Sequence, residues 1–357
     1  MTGAACAALY LAPGPKRLAE DGARTVRAEV VEVDDSGVAL HGLVEFGTER
    51  LKVRLADGSI RSAENEVRAQ LELDKRFEVG DTALVVIPAA DTPETILIAR
   101  DHWRTGWGAA FFAAFCLLLC IFGGWTGAKA LFSFVFSCLA VWKLLIPLVL
   151  SGWHASTVCF LTVGVLTAVI MYLVAGWTKK GAVAFCGAML GVGVSLGLSH
   201  FLSRVMTVNG ATMPFAQALL YSGYDSLDLR DVFIGAIVLA SSGAVMDLAM
   251  DIAAGLSEVK LHNPCVSRGE LLRSGLRMGR AVVGTMTTTL LLAYSGGYLT
   301  LLMVFAAQGT QPLDFLNSTL VSAELVKTLV GSFGLVLVAP FTALMSAAIH
   351  GKRSPDA

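Results

Sequence analysis

The chain has 357 residues, 55% hydrophobic and only 15% charged, with a formal net charge of −1 at pH 7. That charged share is far below the roughly 25% of soluble domains, and the near-neutral balance excludes a polycationic nucleic-acid binder. Residues 1–104 hold 13 of the 27 Lys and Arg and 18 of the 28 Asp and Glu, and no acid occurs between Asp101 and Asp225. The composition therefore divides into a soluble N-terminal part and a polytopic membrane part whose first partner is the lipid bilayer.

Residues 1–23 are expected to be poorly ordered. The apolar stretch "GAACAALYLA" is too short to cross a bilayer and lacks the basic start of a signal peptide. Residues 24–104 alternate with period two in "TVRAEVVEV", "GVALHGLVEF", "RLKVRLADG" and "TALVVIP". Gly and Asp turns separate these runs, which predicts five or six strands in a small all-β barrel or sandwich. His41 and His102 have no His or Cys partner nearby and read as exposed polar residues. Seven cysteines show no zinc spacing, and none falls between residues 7 and 115, so neither a metal site nor a disulfide framework is expected. No cofactor is expected.

From residue 105 to 351 the pattern predicts an all-α membrane domain. Apolar runs long enough to span occur at about 107–123, 130–150, 155–176, 181–202, 232–256 and 325–349. A seventh region, 281–307, contains "YSGGY" and reads as an interrupted helix or a helix plus a re-entrant piece. Counting seven crossings with the β domain outside places Lys129, Lys179, Lys180, Lys260, Arg268, Arg273, Arg277, Arg280, Lys352 and Arg353 inside. Only Arg204 and Arg230 are then outside, the asymmetry that orients membrane proteins. Residues 352–357 form a cytoplasmic tail in this scheme. An exported β domain raises the expectation of a preceding hydrophobic segment and a misassigned start codon.

The fifth span carries two acids. Gly235, Leu239, Gly243, Asp247, Asp251 and Gly255 step by four along one helical stripe, with Met246 beside them. Carboxylates at this depth are costly and point to a proton or cation site; the alternative is a structural pair that fixes helix register. Asp247 is the deeper. Asp251 lies near the basic inner loop, where Arg277 or Arg280 is a candidate partner. Thr285 and Thr288, with Gly284 and "SGG" beyond, make a helix that can break and expose carbonyls to a solute or cation. Ordinary packing of small residues is the other reading. Glu324 completes the candidate set, though an i,i+3 pair with Lys327 explains it equally. Gly187 and Gly191 read as a packing face, as do Gly243 and Gly284. Pro147 is expected to kink its helix. No Gly-Lys-Ser/Thr phosphate loop and no hydrolase motif occurs, so no enzyme is expected.

The segments "GAVMDLAMDIA" (243–253), "HNP" (262–264), "SGLRMGR" (274–280), "GTMTTTLLLAY" (284–294) and "ELVKTLVGSFGL" (324–335) resemble the YibE/F family of bacterial membrane proteins. The likeness runs over roughly residues 25–350 and is looser in the β domain. It implies a multi-span protein of the bacterial cytoplasmic (inner) membrane, for which transport is the usual supposition. Family members usually begin with a hydrophobic segment, which this sequence lacks, and carry a small polar residue where Asp251 stands. Two functions remain open. One is a secondary transporter or permease with its site at Asp247. The other is a non-transporting scaffold or receptor subunit acting through the external β domain, as a homo-oligomer or with a membrane partner.

Overall fold

The computed structural model describes residues 22–350. The expected N-terminal segment falls almost wholly outside these residues, as does the tail with Lys352 and Arg353. The described chain divides into two units, residues 22–121 and 122–350.

The first unit is built on six strands: β1 Arg24–Asp34, β2 Val38–His41, β3 Val44–Arg54, β4 Ile60–Arg68, β5 Thr82–Ile87 and β6 Leu97–His102. Their alternating side chains bury one face, with Ala28, Val30, Leu51, Val53, Ala63, Ala83, Val85, Leu97 and Ala99 in a common core. The long β1 serves two neighbours. Arg24–Glu29 pairs antiparallel with β5, and Glu29–Asp34 pairs antiparallel with β3 across a bulge near Val30. That sharing closes the barrel in the order β1-β5-β6-β4-β3-β1, with β4 and β6 parallel. With β2 set aside as a hairpin added to β3, this is the five-stranded Greek-key order of the OB-fold.

One carboxylate lies wholly inside this barrel. Glu49 on β3 accepts from Asn65 Nδ2 at 2.8 Å and lies 3.4 Å from Arg76 Nε. Burial nevertheless holds its carboxyl above the ordinary glutamate value. His102 is not the exposed residue expected from its isolation in sequence. It is half-buried, stacks 4.5 Å from Phe77, and its Nε2 is 3.0 Å from the Arg76 carbonyl.

The helices are α1 Thr105–Ala140, a π-helical turn Val141–Leu145, α2 Ile146–Leu150, α3 Ala155–Ala175, α4 Lys179–Val205 and α5 Ala216–Tyr221. After them come α6 Leu229–His262, α7 Arg268–Gly297, α8 Leu299–Ala307, α9 Pro312–Asn317 and α10 Thr319–His350. Their boundaries follow local chemistry. Thr178 caps α4, Asp228 accepts from the Arg230 and Asp231 amides at the start of α6, and Ser267 and Glu270 form a capping box on α7. α1 is interrupted at Gly124, whose φ of 51° and ψ of −129° leave the helical region. The π-helical turn precedes Pro147, whose ring and missing N–H disturb the ladder behind it. α7 and α8 meet at Tyr298 with a 64° bend, which locates the break read from "YSGGY".

α6 is the central helix and packs on α3, α4, α7 and α10. Val245, Leu248, Ala249, Ile252, Ala253 and Leu256 form its inner face. Small residues bring the neighbours close. A Cβ on Gly187 would lie 2.2 Å from Thr342 Oγ1, and one on Gly191 would lie 3.0 Å from Val245. At the α7–α10 crossing, Gly275 meets Ala343 and Gly279 meets Ala339, each at 2.6 Å from the hypothetical methyl. Gly243 and Gly284 do not share this role: among the described residues nothing lies within 4 Å of a Cβ added at either. Among the described residues, five helical stretches are long and apolar enough to cross a membrane, or six when the bent α7–α8 pair is counted as one span.

Candidate functional site

The acids sit on the one face of α6 that its neighbours leave open. Ala236, Ala240, Gly243, Asp247, Asp251 and Glu258 are all exposed along this face. The spacing explains it: positions three and four apart share a side of the helix, and the opposite side carries the core. Asp247 and Asp251 are one turn apart and act on each other electrostatically. Among the described residues, neither acid has a hydrogen bond or an ion pair.

Two helices flank the open face. On the α3 side, the Thr167 hydroxyl approaches Met246 Sδ at 3.0 Å while donating to the Val163 carbonyl at 2.7 Å. On the α7 side, Gly255 faces Met278, whose sulfur would lie 2.8 Å from an added Cβ. Thioethers thus border this face, and among the described residues no cation pairs with either acid.

The other sequence candidates do not converge on this pair. Thr285 and Thr288 are exposed on α7, and their hydroxyls donate to the Val282 and Gly284 carbonyls at 2.9 and 3.1 Å. Each is therefore satisfied by its own helix, the usual fate of threonine in such a setting. Arg280 is exposed too, and neither it nor Arg277 pairs with Asp251 within the chain. Glu324 is paired with Lys327 near the start of α10, and both side chains are largely buried.

That pair belongs to a separate polar cluster at the α7–α10 seam, of which sequence reasoning picked out Glu324 and Lys327 but missed Tyr294 on the facing helix. Tyr294 packs on Gly331 and lies within electrostatic reach of Glu324. The hydroxyls of Thr287, Tyr294 and Thr328 are buried without a hydrogen-bond partner in the structure. Helical spacing held the signal: Thr287 and Tyr294 are seven apart and face α10, whereas Thr285 and Thr288 do not.

A second missed cluster lies at the N-terminal end of α6. The buried Asp231 accepts from the Ser156 amide at 3.1 Å, capping α3 from a neighbouring helix, and lies 4.0 Å from His154 Nδ1. With Trp153, Tyr224 and Asp228 these residues line a pocket of about 150 Å³. Among the described residues, no three His, Cys, Asp or Glu side chains converge as a metal site.

A β-barrel followed by a bundle of apolar, membrane-length helices, with two unpaired acids on its central helix, defines a class of polytopic membrane protein. The family model described as YibE/F-like protein matches residues 111–352, well over half of the chain, and the protein belongs to that family. No curated protein and no solved structure matches it.

Proposed function

We propose that the protein is a secondary transporter or permease of the bacterial inner membrane, in which Asp247 binds the transported or coupling cation, a proton included. One observation carries the reading. Asp247 and Asp251 stand exposed on a membrane-length helix with no partner among the described residues. A carboxylate there costs a few kcal/mol or more unless an ion, a proton or water meets it. A purely structural role would tie each acid to a neighbouring side chain, and none of the described residues does so.

The proposal includes seven crossings. Thr105–Leu150 is 46 residues of helix, about 69 Å at 1.5 Å per residue, more than twice the roughly 30 Å hydrocarbon core. Divided at Gly124 it makes two spans, and the basic residues then favour an extracytoplasmic β-barrel and a cytoplasmic C-terminus.

Carbodiimide chemistry tests the site without a known solute, because it modifies carboxyl groups that take up a proton in apolar surroundings. Wild-type membranes treated with dicyclohexylcarbodiimide should carry the adduct on Asp247, read by peptide mass spectrometry. Absence of the adduct from Asp247 across the pH range would remove it as an exchangeable site.

The scaffold reading keeps one observation of its own. An open groove of about 450 Å³ on the barrel is lined by Glu32, Asp34, Arg50, Lys52, Glu64 and Glu94. It runs over β3, β4 and the β5–β6 loop, the surface on which OB-folds bind ligands. A phenotype that survives loss of residues 22–104 would set this reading aside.

A further inference from the structure

α3 and α6 begin side by side. A Cβ on Gly235 would lie 2.8 Å from Cys159 Sγ and 3.1 Å from the Ala155 carbonyl oxygen, so the first turns of the two helices touch. Two short connections meet at this end: residues 151–154, which lead into α3, and residues 222–228, which lead into α6. Both contribute to the pocket of about 150 Å³. Asp231 and Asp247 are sixteen residues apart on α6, about 24 Å along the helix. The pocket is therefore separate from the site assigned to transport, and the inference does not rest on that reading.

The lining offers three kinds of surface. Leu150, Leu227 and Val232 are apolar, Trp153 and Tyr224 are aromatic, and Asp228 and Asp231 are acidic. No Lys or Arg is among the described residues that line it. The fold uses only part of each acid. Asp231 is buried, and its Oδ2 accepts from the Ser156 amide. Asp228 Oδ1 accepts from the amides of Arg230 and Asp231. Among the described residues, Asp231 Oδ1 and Asp228 Oδ2 accept no hydrogen bond. His154 Nδ1 stands 4.0 Å from Asp231, too long for a hydrogen bond, and its side chain is almost wholly exposed.

Charge and lining together decide what fits. A helix N-terminus carries about half a positive charge, so the starts of α3 and α6 offset about one of the two carboxylates. About one negative charge is left for a ligand when His154 is neutral. A hard metal ion is a poor match. Among the described residues no three His, Cys, Asp or Glu side chains converge on one point, and alkyl and aromatic walls do not replace the oxygens such an ion takes. An organic cation matches better. An aromatic face attracts an ammonium, the free carboxylate oxygens accept its N–H groups, and the apolar side chains take its carbon stem. At about 30 Å³ for a water, the pocket has room for about five groups of that size.

We infer that this pocket binds a primary ammonium group on a short carbon stem. Asp228 and Asp231 accept its N–H groups, and Trp153 and Tyr224 stand against its charge. A free amine and the ethanolamine headgroup of a phospholipid both carry this group. The pocket lies at the end of the helices, which the seven-crossing arrangement puts on the extracytoplasmic side.

The test uses the full-length protein in phosphatidylglycerol nanodiscs, titrated with ethanolammonium chloride at constant ionic strength and read by calorimetry. Wild type should bind ethanolammonium, and equimolar sodium should not displace it. Asp228→Asn and Asp231→Asn each keep an oxygen for the helix amides and remove the charge. Each should leave thermal unfolding unchanged and weaken ethanolammonium binding roughly tenfold or more. Trp153 is 63% exposed, so Trp153→Leu tests the pocket even where an acid variant does not fold; it should weaken binding about fivefold. Native mass spectrometry of protein taken from mixed phosphatidylethanolamine–phosphatidylglycerol membranes separates the two sources. Phosphatidylethanolamine retained by wild type and lost from Asp228→Asn/Asp231→Asn assigns the headgroup. Ethanolammonium binding without that retention assigns a free amine. Absence of both, displacement by equimolar sodium, or binding that survives in all three single variants overturns the inference and leaves the two acids as helix caps alone.

Discussion

Asp247 and Asp251 are the same residue type, one turn apart, yet their surroundings assign them different work. Asp251 is level with Arg280 on the adjacent helix, and Asp247 follows Met246, whose sulfur meets the Thr167 hydroxyl. Glu49 in the barrel shows the converse case, an acid fully enclosed and given partners. Its burial outweighs Asn65, the Phe77 amide and Arg76, so its native pKa lies above the ordinary glutamate value. The sign follows from linkage: Glu49 leaves stability intact below the unfolded pKa and withdraws it as pH rises through the higher native value. Glu49→Gln should therefore gain on wild type as pH rises above the ordinary glutamate range. Hydrogen exchange in β3 and β4, compared between the two proteins at each pH, measures this. A difference that stays flat with pH would show that burial does not govern Glu49.

At the scale of elements, packing glycines and open glycines look alike in sequence and differ in what faces them. Gly187 has Thr342 Oγ1 and Cα at 2.2 and 2.9 Å from a hypothetical methyl. Gly187→Ala should force α4 and α10 apart at a cost of about 1–3 kcal/mol, whereas Gly243→Ala, facing open space, should cost far less. Thermal unfolding in detergent separates the two, and equal destabilisation would contradict the packing assigned to the α4–α10 crossing. Much of this level was legible in the sequence. Period-two runs gave the strands, apolar runs gave the membrane-length helices, and "YSGGY" gave the bend at Tyr298. Barrel closure was not legible, because β1 divides its length between β3 and β5 and local alternation is blind to partner choice. The back-bonding of Thr285 and Thr288 was not legible for a related reason. Composition marks a threonine-rich segment, but only the neighbour's position decides which hydroxyl faces a helix and which bonds its own backbone.

At the scale of the molecule, membership of the YibE/F-like family joins a bundle of five to six apolar helical stretches to a barrel of OB-fold strand order. The bundle has a well-filled centre, and its acids on α6 stand on an exposed face. This distribution argues for a protein whose chemistry runs along helix surfaces rather than in a deep enclosed pocket. The acidic face of α6 is the most expensive feature of the bundle to keep in a membrane, so it is where the functional claim is placed. Proton flux through vesicles containing the purified full-length protein, under an imposed pH gradient and with a trapped pH dye, tests that claim directly. The account predicts gradient dissipation by wild type and its loss in Asp247→Asn, with the variant still folded and inserted. Undiminished flux in Asp247→Asn would contradict it.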